Sequence, residues 1–200
     1  MKSLLVSHWW GGSLANIVDD EQVGSAVMIG DDIRRTLWRI AHQIVERHKN
    51  SLDMLFVGIP TRGFPLAQRL AQIIGDMEGG EVPVVPLDIR PYRDDVSDDG
   101  RIRNQSIHLS KEVEDKKVII VDDVLFTGRT ARAALDALTD AGRPRQVQLA
   151  VLVDRGHREL PIRADYVGKN MPTALSERIQ VRLMEIDGFD DVVLLHNQGA

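Results

Sequence analysis

Residues 118–130, Val-Ile-Ile-Val-Asp-Asp-Val-Leu-Phe-Thr-Gly-Arg-Thr, constrain the fold of this chain more than any other stretch. Four consecutive β-branched apolar residues read as a strand buried on both faces, the kind found in parallel sheets covered by helices. The run ends in two adjacent carboxylates, and a Thr-Gly-Arg-Thr turn leads into an alanine-rich stretch that predicts a helix over Arg129–Ala141. Gly142 and Pro144 stop that helix, a glycine past the last turn and then a breaker. Strand and helix alternate elsewhere too. Met54–Ile59 precedes a helical stretch over Phe64–Met77, Val82–Ile89 is a second apolar run, and Gln146–Val153 is a fourth. The pattern predicts an α/β class with a mostly parallel, twisted sheet flanked by helices.

Composition narrows the function classes. Two hundred residues fit one domain, or one domain with a small appendage. Zero cysteines exclude a disulfide scaffold, a thiolate zinc site and a thiol nucleophile together. No apolar run approaches the roughly 18–20 residues a membrane span requires. The first twenty residues lack the apolar core of a signal peptide, so a cytoplasmic location and no membrane partner are expected. Net charge is −5, which repels nucleic acid on average, so any nucleic-acid role must rest on a local basic patch.

Residues 1–25 show no periodicity and read as a flexible tail, leaving 26–200 as the folded domain. A helix is expected over 33–47, capped by Asp31 or Asp32. Pro91–His108 is polar and charged, which suits a mobile functional loop. Near the C-terminus, Arg178–Ile186 alternates polar and apolar residues, and Asp187-Gly188 turns it into Val192–Leu195 as a β-hairpin.

The turn after the acidic pair explains what such a sheet could bind. Thr127, Gly128, Arg129 and Thr130 place hydroxyls and free backbone N–H groups at a helix N-terminus, where the dipole favours a phosphate. Asp122 and Asp123 would repel that phosphate but can accept hydrogen bonds from vicinal hydroxyls, as on a ribose. Phosphate and ribose side by side describe a phosphorylated sugar. Neither a Gly-Lys-Ser/Thr phosphate loop nor a Gly-x-Gly-x-x-Gly turn is present, so nucleotide hydrolysis and dinucleotide binding lack support.

At these residues the sequence resembles the type I phosphoribosyltransferases, which bind 5-phosphoribosyl-1-pyrophosphate (PRPP). Over about residues 28–197 it resembles more narrowly the PyrR family, pyrimidine-operon attenuation regulators that are also uracil phosphoribosyltransferases. Arg39-Ile-Ala-His42, Tyr92-Arg93-Asp94-Asp95 and Leu152-Val-Asp-Arg-Gly-His-Arg-Glu-Leu carry that likeness, with Arg163 and Tyr166-Val167-Gly168-Lys169-Asn170 beyond. The resemblance implies that Asp122 and Asp123 hold the ribose hydroxyls of PRPP. It implies that Val121 and Val124, Leu125, Phe126, Thr127, Gly128, Arg129 and Thr130 form the rest of its site, while Thr61-Arg62-Gly63 serves as the pyrophosphate loop. Arg62 and Arg93 would neutralise the leaving group, and Tyr166 and Val167 would line the uracil pocket. Mg²⁺ would arrive mainly on PRPP, with Asp122 and Asp123 as candidate ligands. Implied partners are PRPP, uracil, UMP and UTP, the messenger RNA leader of pyrimidine genes, and a second copy of the chain in a homodimer or homotetramer. A purine-base phosphoribosyltransferase without an RNA role remains the alternative. Three positions depart from the family pattern: Phe126 for tyrosine, Pro91 for leucine in the loop, and Trp38 where some members carry a threonine implicated in RNA binding.

The basic patch needed for RNA is present. At about 100° per residue, Ile33, Leu37, Ile40 and Ile44 share one stripe, and Arg35, Arg39 and His42 fall opposite it. Residues 34–49 hold Arg34, Arg35, Arg39, Arg47 and Lys49 against Glu46 alone. A second basic group contains Arg155, His157, Arg158 and Arg163. The resemblance places RNA on both groups.

Overall fold

A computed structural model describes residues 18–19, 22–48, 51–93 and 112–197. In chain order the elements are β1 (Val18–Asp19), β2 (Gln22–Ile29), α1 (Gly30–Arg47), β3 (Met54–Gly58) and α2 (Gly63–Glu78). Then come β4 (Val84–Pro86), β5 (Lys117–Leu125), α3 (Arg129–Ala141), β6 (Gln146–Asp154) and β7 (Tyr166–Asn170). The chain closes with β8 (Glu177–Arg182), the short helical turn α4 (Met184–Asp187) and β9 (Asp191–Asn197).

The expected alternation builds a five-stranded sheet, β4-β3-β5-β6-β7, in which every pairing is parallel. All five residues of β3 are buried, as in a strand covered on both faces. One apolar layer joins α1 and α2 to the sheet through Ile33, Leu37, Ile40, Ile44, Leu66, Leu70 and Phe56. The other joins α3 through Ala131, Ala134, Leu138, Val118 and Ile120. The apolar run at Val82–Ile89 yields only a three-residue edge strand, because Pro83 and Pro86 cannot donate to a ladder on both sides.

Three expectations need correction. Residues 22–25, assigned to a tail, belong to β2. The C-terminal hairpin of β8 and β9 forms, but β2 pairs antiparallel with β9, so the hairpin is half of a second sheet, β1-β2-β9-β8. The acids at the start of α1 do not occupy the cap position, which is Ile29. Instead Asp32 reaches back to accept the Ile29 N–H at 3.1 Å, and that hydrogen bond, with Arg35, holds its carboxyl below the ordinary value. The expected mobile loop beyond Arg93, through His108, lies outside the described residues.

One buried polar cluster lies at the N-terminal end of β7. His48 Nε2 lies 2.7 Å from Gln148 Oε1 and 3.2 Å from the Tyr166 hydroxyl. Burial holds the His48 imidazole below its ordinary 6.5. A depressed folded value means the unfolded chain takes up the proton first. Stability is therefore complete above about pH 6.5 and falls as pH drops from there toward the depressed value. Urea unfolding between pH 8 and 5.5 should show His48→Gln less stable at pH 8 yet losing less on acidification than the wild type. Equal losses would show that His48 is not buried as the neutral form.

Candidate active site

In an open α/β sheet ligands bind at the carboxyl ends of the strands, and the acid pair lies at that end of β5. β5 runs through both acids before the chain turns at Phe126–Gly128, and α3 begins at Arg129. Gly128 has φ +93°, a conformation that favours glycine, and it occupies the cap position of α3. Thr127 Oγ1 accepts the Arg129 N–H at 3.4 Å. Around this turn is a cavity of about 480 Å³, lined by Val124 to Thr130, Glu159 and Arg93. Arg93, expected on the leaving group, is thus beside the phosphate turn.

Asp122 is 9% exposed and lies next to half-buried Asp123. Burial first, and the negative charge of Asp123 second, push the Asp122 carboxyl well above the ordinary carboxylate range, against the pull of Arg93. Asp122 accepts the Asp123 N–H at 2.9 Å, and Asp123 accepts the Val124 N–H at 2.8 Å. Both carboxylates are thereby oriented by their own backbone at the strand end.

The Thr61–Gly63 turn packs against this strand end. Ile59 N–H donates to Val121 O at 3.0 Å, and a Cβ on Gly63 would lie 2.3 Å from the same oxygen and 3.1 Å from Asp122 Cα. Only glycine permits that approach. Arg62 follows Thr61 into α2, and its Nη2 pairs with Asp187 of α4 at 3.0 Å. Arg69 of α2 pairs with Glu185 at 2.6 Å and Asp190 at 2.8 Å. Three carboxylates of the second sheet's connecting turn are thus fastened to the helix that starts at the Thr61–Gly63 turn.

The segment after β6 has a role that charge pattern alone misassigns. Arg155, expected on RNA, is 6% exposed, with its guanidinium 4.0 Å from the Phe126 ring centroid. Arg158 pairs with Asp154 and donates to Phe126 O at 2.6 Å. Glu159 and Leu160 donate their N–H groups to Thr127 O at 3.0 and 3.2 Å, and Arg129 Nε meets Glu159 at 2.7 Å. These residues brace the phosphate turn from beneath, so Arg155 is withdrawn from any outer surface and Arg158 is turned inward. His157 is exposed, and its Nε2–H donates to Thr173 O. Phe126 keeps the ring on which Arg155 rests, a contact that does not need the missing hydroxyl.

Tyr166 and Val167 do not line this site. Tyr166 pairs in register with Ala150, four residues before Asp154 and Asn170 at the carboxyl rim. At about 3.3 Å per residue it lies roughly 13 Å below that rim. Its ring is 3% exposed in the core and its hydroxyl meets His48 and Gln148. The Tyr166 ring is therefore a core group, and a uracil contact at these two residues would have to run through their backbone. Tyr92 likewise stays off the site, since its hydroxyl donates to Asp140 of α3 at 2.9 Å.

On the outer face of α1, Arg35 pairs with Asp32 at 2.7 Å, His42 meets Trp38 O, and Arg47 pairs with Asp165 at 3.3 Å. Arg39 donates to Val167 O at 3.2 Å and to Gly168 O, tying α1 to β7. Trp38 is 39% exposed beside His42, ring centroids 5.8 Å apart. Arg163 is exposed. The first basic group is thus an exposed face as expected, whereas the second is divided.

Residues 23–181 match the phosphoribosyl transferase domain family. The chain is 59% identical over 177 residues to the bifunctional protein PyrR of Alkaliphilus metalliredigens, covering 86% of this chain and 96% of that protein. It belongs to the PyrR family. The PyrR protein of Thermus thermophilus is 55% identical over 175 residues, covering 87% and 97% of the two chains. Among solved structures, the hypoxanthine phosphoribosyltransferase of Trypanosoma cruzi superposes with a TM-score of 0.64 at 20% identity, covering 86% of this chain and 97% of that one. At that identity the likeness shows the shared fold alone. PyrR membership agrees with the parallel sheet, the phosphate turn and the separate antiparallel sheet described above. Among the described residues, no helix is long and apolar enough to cross a membrane.

Proposed function

We propose that this PyrR-family protein makes UMP and pyrophosphate from uracil and PRPP, and that it also binds a pyrimidine-gene leader RNA to regulate transcription in response to uridine nucleotides. The observation that carries the enzymatic half is the acid pair at the carboxyl end of β5, directly before a braced phosphate turn at a helix N-terminus. Backbone N–H groups of 127–130 bind the 5′-phosphate, and Asp122 and Asp123 accept the ribose hydroxyls. Uracil N1 bonds to the anomeric carbon as the bond to pyrophosphate breaks, and N1 loses its proton. Positive charge grows on the ribose beside two carboxylates while Arg62 and Arg93 stabilise the departing anion.

Mg²⁺ fits this site as a metal arriving with its substrate. No group of three or more histidine or acidic residues is arranged to hold a metal among the described residues, and Mg²⁺ commonly takes one or two carboxylates together with substrate phosphates. Asp122 and Asp123 are the residues that would hold it. It would supply charge neutralisation of the pyrophosphate, and a cation beside them would relieve the repulsion between buried Asp122 and half-buried Asp123.

The regulatory half is supported by the exposed basic face of α1 and by Arg163. Phosphate contacts there give affinity, and unpaired bases of a stem-loop give selectivity. Arg35 is a cleaner probe than Arg39, which also ties α1 to β7. Incubation with PRPP, Mg²⁺ and each base in turn tests the enzyme. UMP formation is expected, and turnover of hypoxanthine or guanine instead of uracil would favour a purine enzyme. In filter binding at two salt concentrations, Arg35→Gln should weaken leader-RNA binding and lower its salt dependence by about one phosphate contact. UMP synthesis should stay within about twofold of wild type. Normal RNA binding, or parallel loss of both activities, would refute separate surfaces.

A further inference from the structure

We propose that Asp187 is the resting counter-ion of Arg62 and competes with pyrophosphate for it, so that the leaving group binds by exchange with a carboxylate of the protein. The inference rests on the reading of Thr61–Gly63 as the pyrophosphate turn. Arg62 Nη2 donates to both oxygens of Asp187, at 3.0 and 3.3 Å. The two side chains are 27% and 20% exposed, so neither charge is well hydrated. A half-buried guanidinium without a partner is costly, and so is a half-buried carboxylate. With no anion bound, each satisfies the other.

The pairing is incomplete on the arginine side. Arg62 Nε is buried with no hydrogen-bond partner, although the guanidinium fork is built for two parallel bonds to one anion. Buried orphan donors are rare and call for an explanation. Arg132 Nε and Arg155 Nε are buried in the same way, so the half-used fork is what matters at Arg62: a turn of the guanidinium that presents Nε and an Nη to one pyrophosphate would form the two parallel bonds that Asp187 does not.

Asp187 is not stranded by the exchange. Its Oδ2 also accepts the Leu183 N–H at 2.8 Å, which holds the carboxylate on the α4 turn. Arg69 with Glu185 and Asp190 fastens the same turn to α2 independently. The turn therefore stays docked while Arg62 changes partner. Asp187 acts here as a positioning residue: its negative charge opposes retention of the product anion, and its return to Arg62 accompanies release.

Titration calorimetry with metal-free pyrophosphate, in EDTA, reads the exchange without Mg²⁺. Asp187→Asn keeps an oxygen for the Leu183 N–H and removes only the charge. It should bind pyrophosphate about three- to tenfold more tightly than wild type, the effect of removing one partly screened competing charge. In the presence of Mg²⁺ it should show a lower KM for PRPP and stronger product inhibition by pyrophosphate. A merely structural role for Asp187 would lower the melting temperature and leave pyrophosphate affinity unchanged or weaker, and that result overturns the proposal. In the Arg62→Gln background the tightening should vanish, whereas equal tightening there would show a diffuse field effect and overturn the exchange. If Arg62→Gln alone binds pyrophosphate like wild type, the assignment of the pyrophosphate turn fails instead, a separate outcome.

Discussion

Asp122→Asn should make the ligand-free protein more stable while cutting UMP synthesis by at least about tenfold, a loss of about 1.4 kcal/mol in the transition state. The activity falls because the ribose loses a charged acceptor, and the stability rises because a buried ionisable group is removed. Burial and the charge of Asp123 raise the folded-state value of Asp122 above that of the unfolded chain. The folded protein therefore holds a proton that the unfolded chain has released, and stability falls as pH rises through the window between the two values. Asparagine removes this pH-dependent cost and retains an oxygen for the Asp123 N–H. Each kcal/mol recovered should raise the melting temperature by roughly 2–4 °C for a chain of this size. Asp123→Asn should also lower activity at least about tenfold, through loss of a charged acceptor for ribose. Calorimetry across pH 5–8 beside the enzyme assay provides the check. An unchanged or lower melting temperature in Asp122→Asn would show that the acid is not strained, and wild-type turnover in either variant would remove the ribose assignment.

Gly63→Ala should be strongly damaging although it adds only one methyl beside the site. Its Cβ would lie 2.3 Å from Val121 O and 3.1 Å from Asp122 Cα, and these are backbone atoms that no rotamer change can move aside. The Thr61–Gly63 turn or the end of β5 must shift, and a displacement near 1 Å typically costs about a hundredfold in rate. Expected results are activity down by about that factor and a melting temperature several degrees lower. Gly79→Ala separates geometry from generic glycine effects. At φ +73° an alanine there is strained but meets no neighbouring atom, so it should cost about 1–2 kcal/mol of stability and leave activity intact. Comparable activity in the two variants would show that the packing of the turn against β5 is not what positions the site.

Local chemistry made much of this protein legible before any coordinates. The limits of α3 follow from Gly128 and Gly142, whose effects act within one turn of chain. The core face of α1 follows from 3.6-residue periodicity, and Ile33, Leu37, Ile40 and Ile44 are all buried. The acid pair and the phosphate turn are contiguous in sequence, so the site they form was already assembled there. Readings that depended on distant partners failed or fell short. Arg155 and Arg158 look like surface cations, and only the position of the Phe126–Gly128 carbonyls and ring, some thirty residues earlier, turns them inward. Tyr166 looks like a pocket residue, and only its register against Ala150 and its burial show that its ring belongs to the core.

By itself, then, the sequence determined what short-range sterics and periodicity control: the α/β class, the limits of α3, and an acid pair followed by a glycine turn at a helix N-terminus. Tertiary structure alone decided that Gln22–Ile29 joins Asp191–Asn197 in a second sheet, and that Arg62 meets Asp187, 125 positions further along the chain. It also decided which arginines face solvent and which support a loop. The reason is physical: a strand's partner and a guanidinium's acceptor are set by long-range closure of the chain, and a run of residues carries no mark of which distant carbonyl or carboxylate will fold against it.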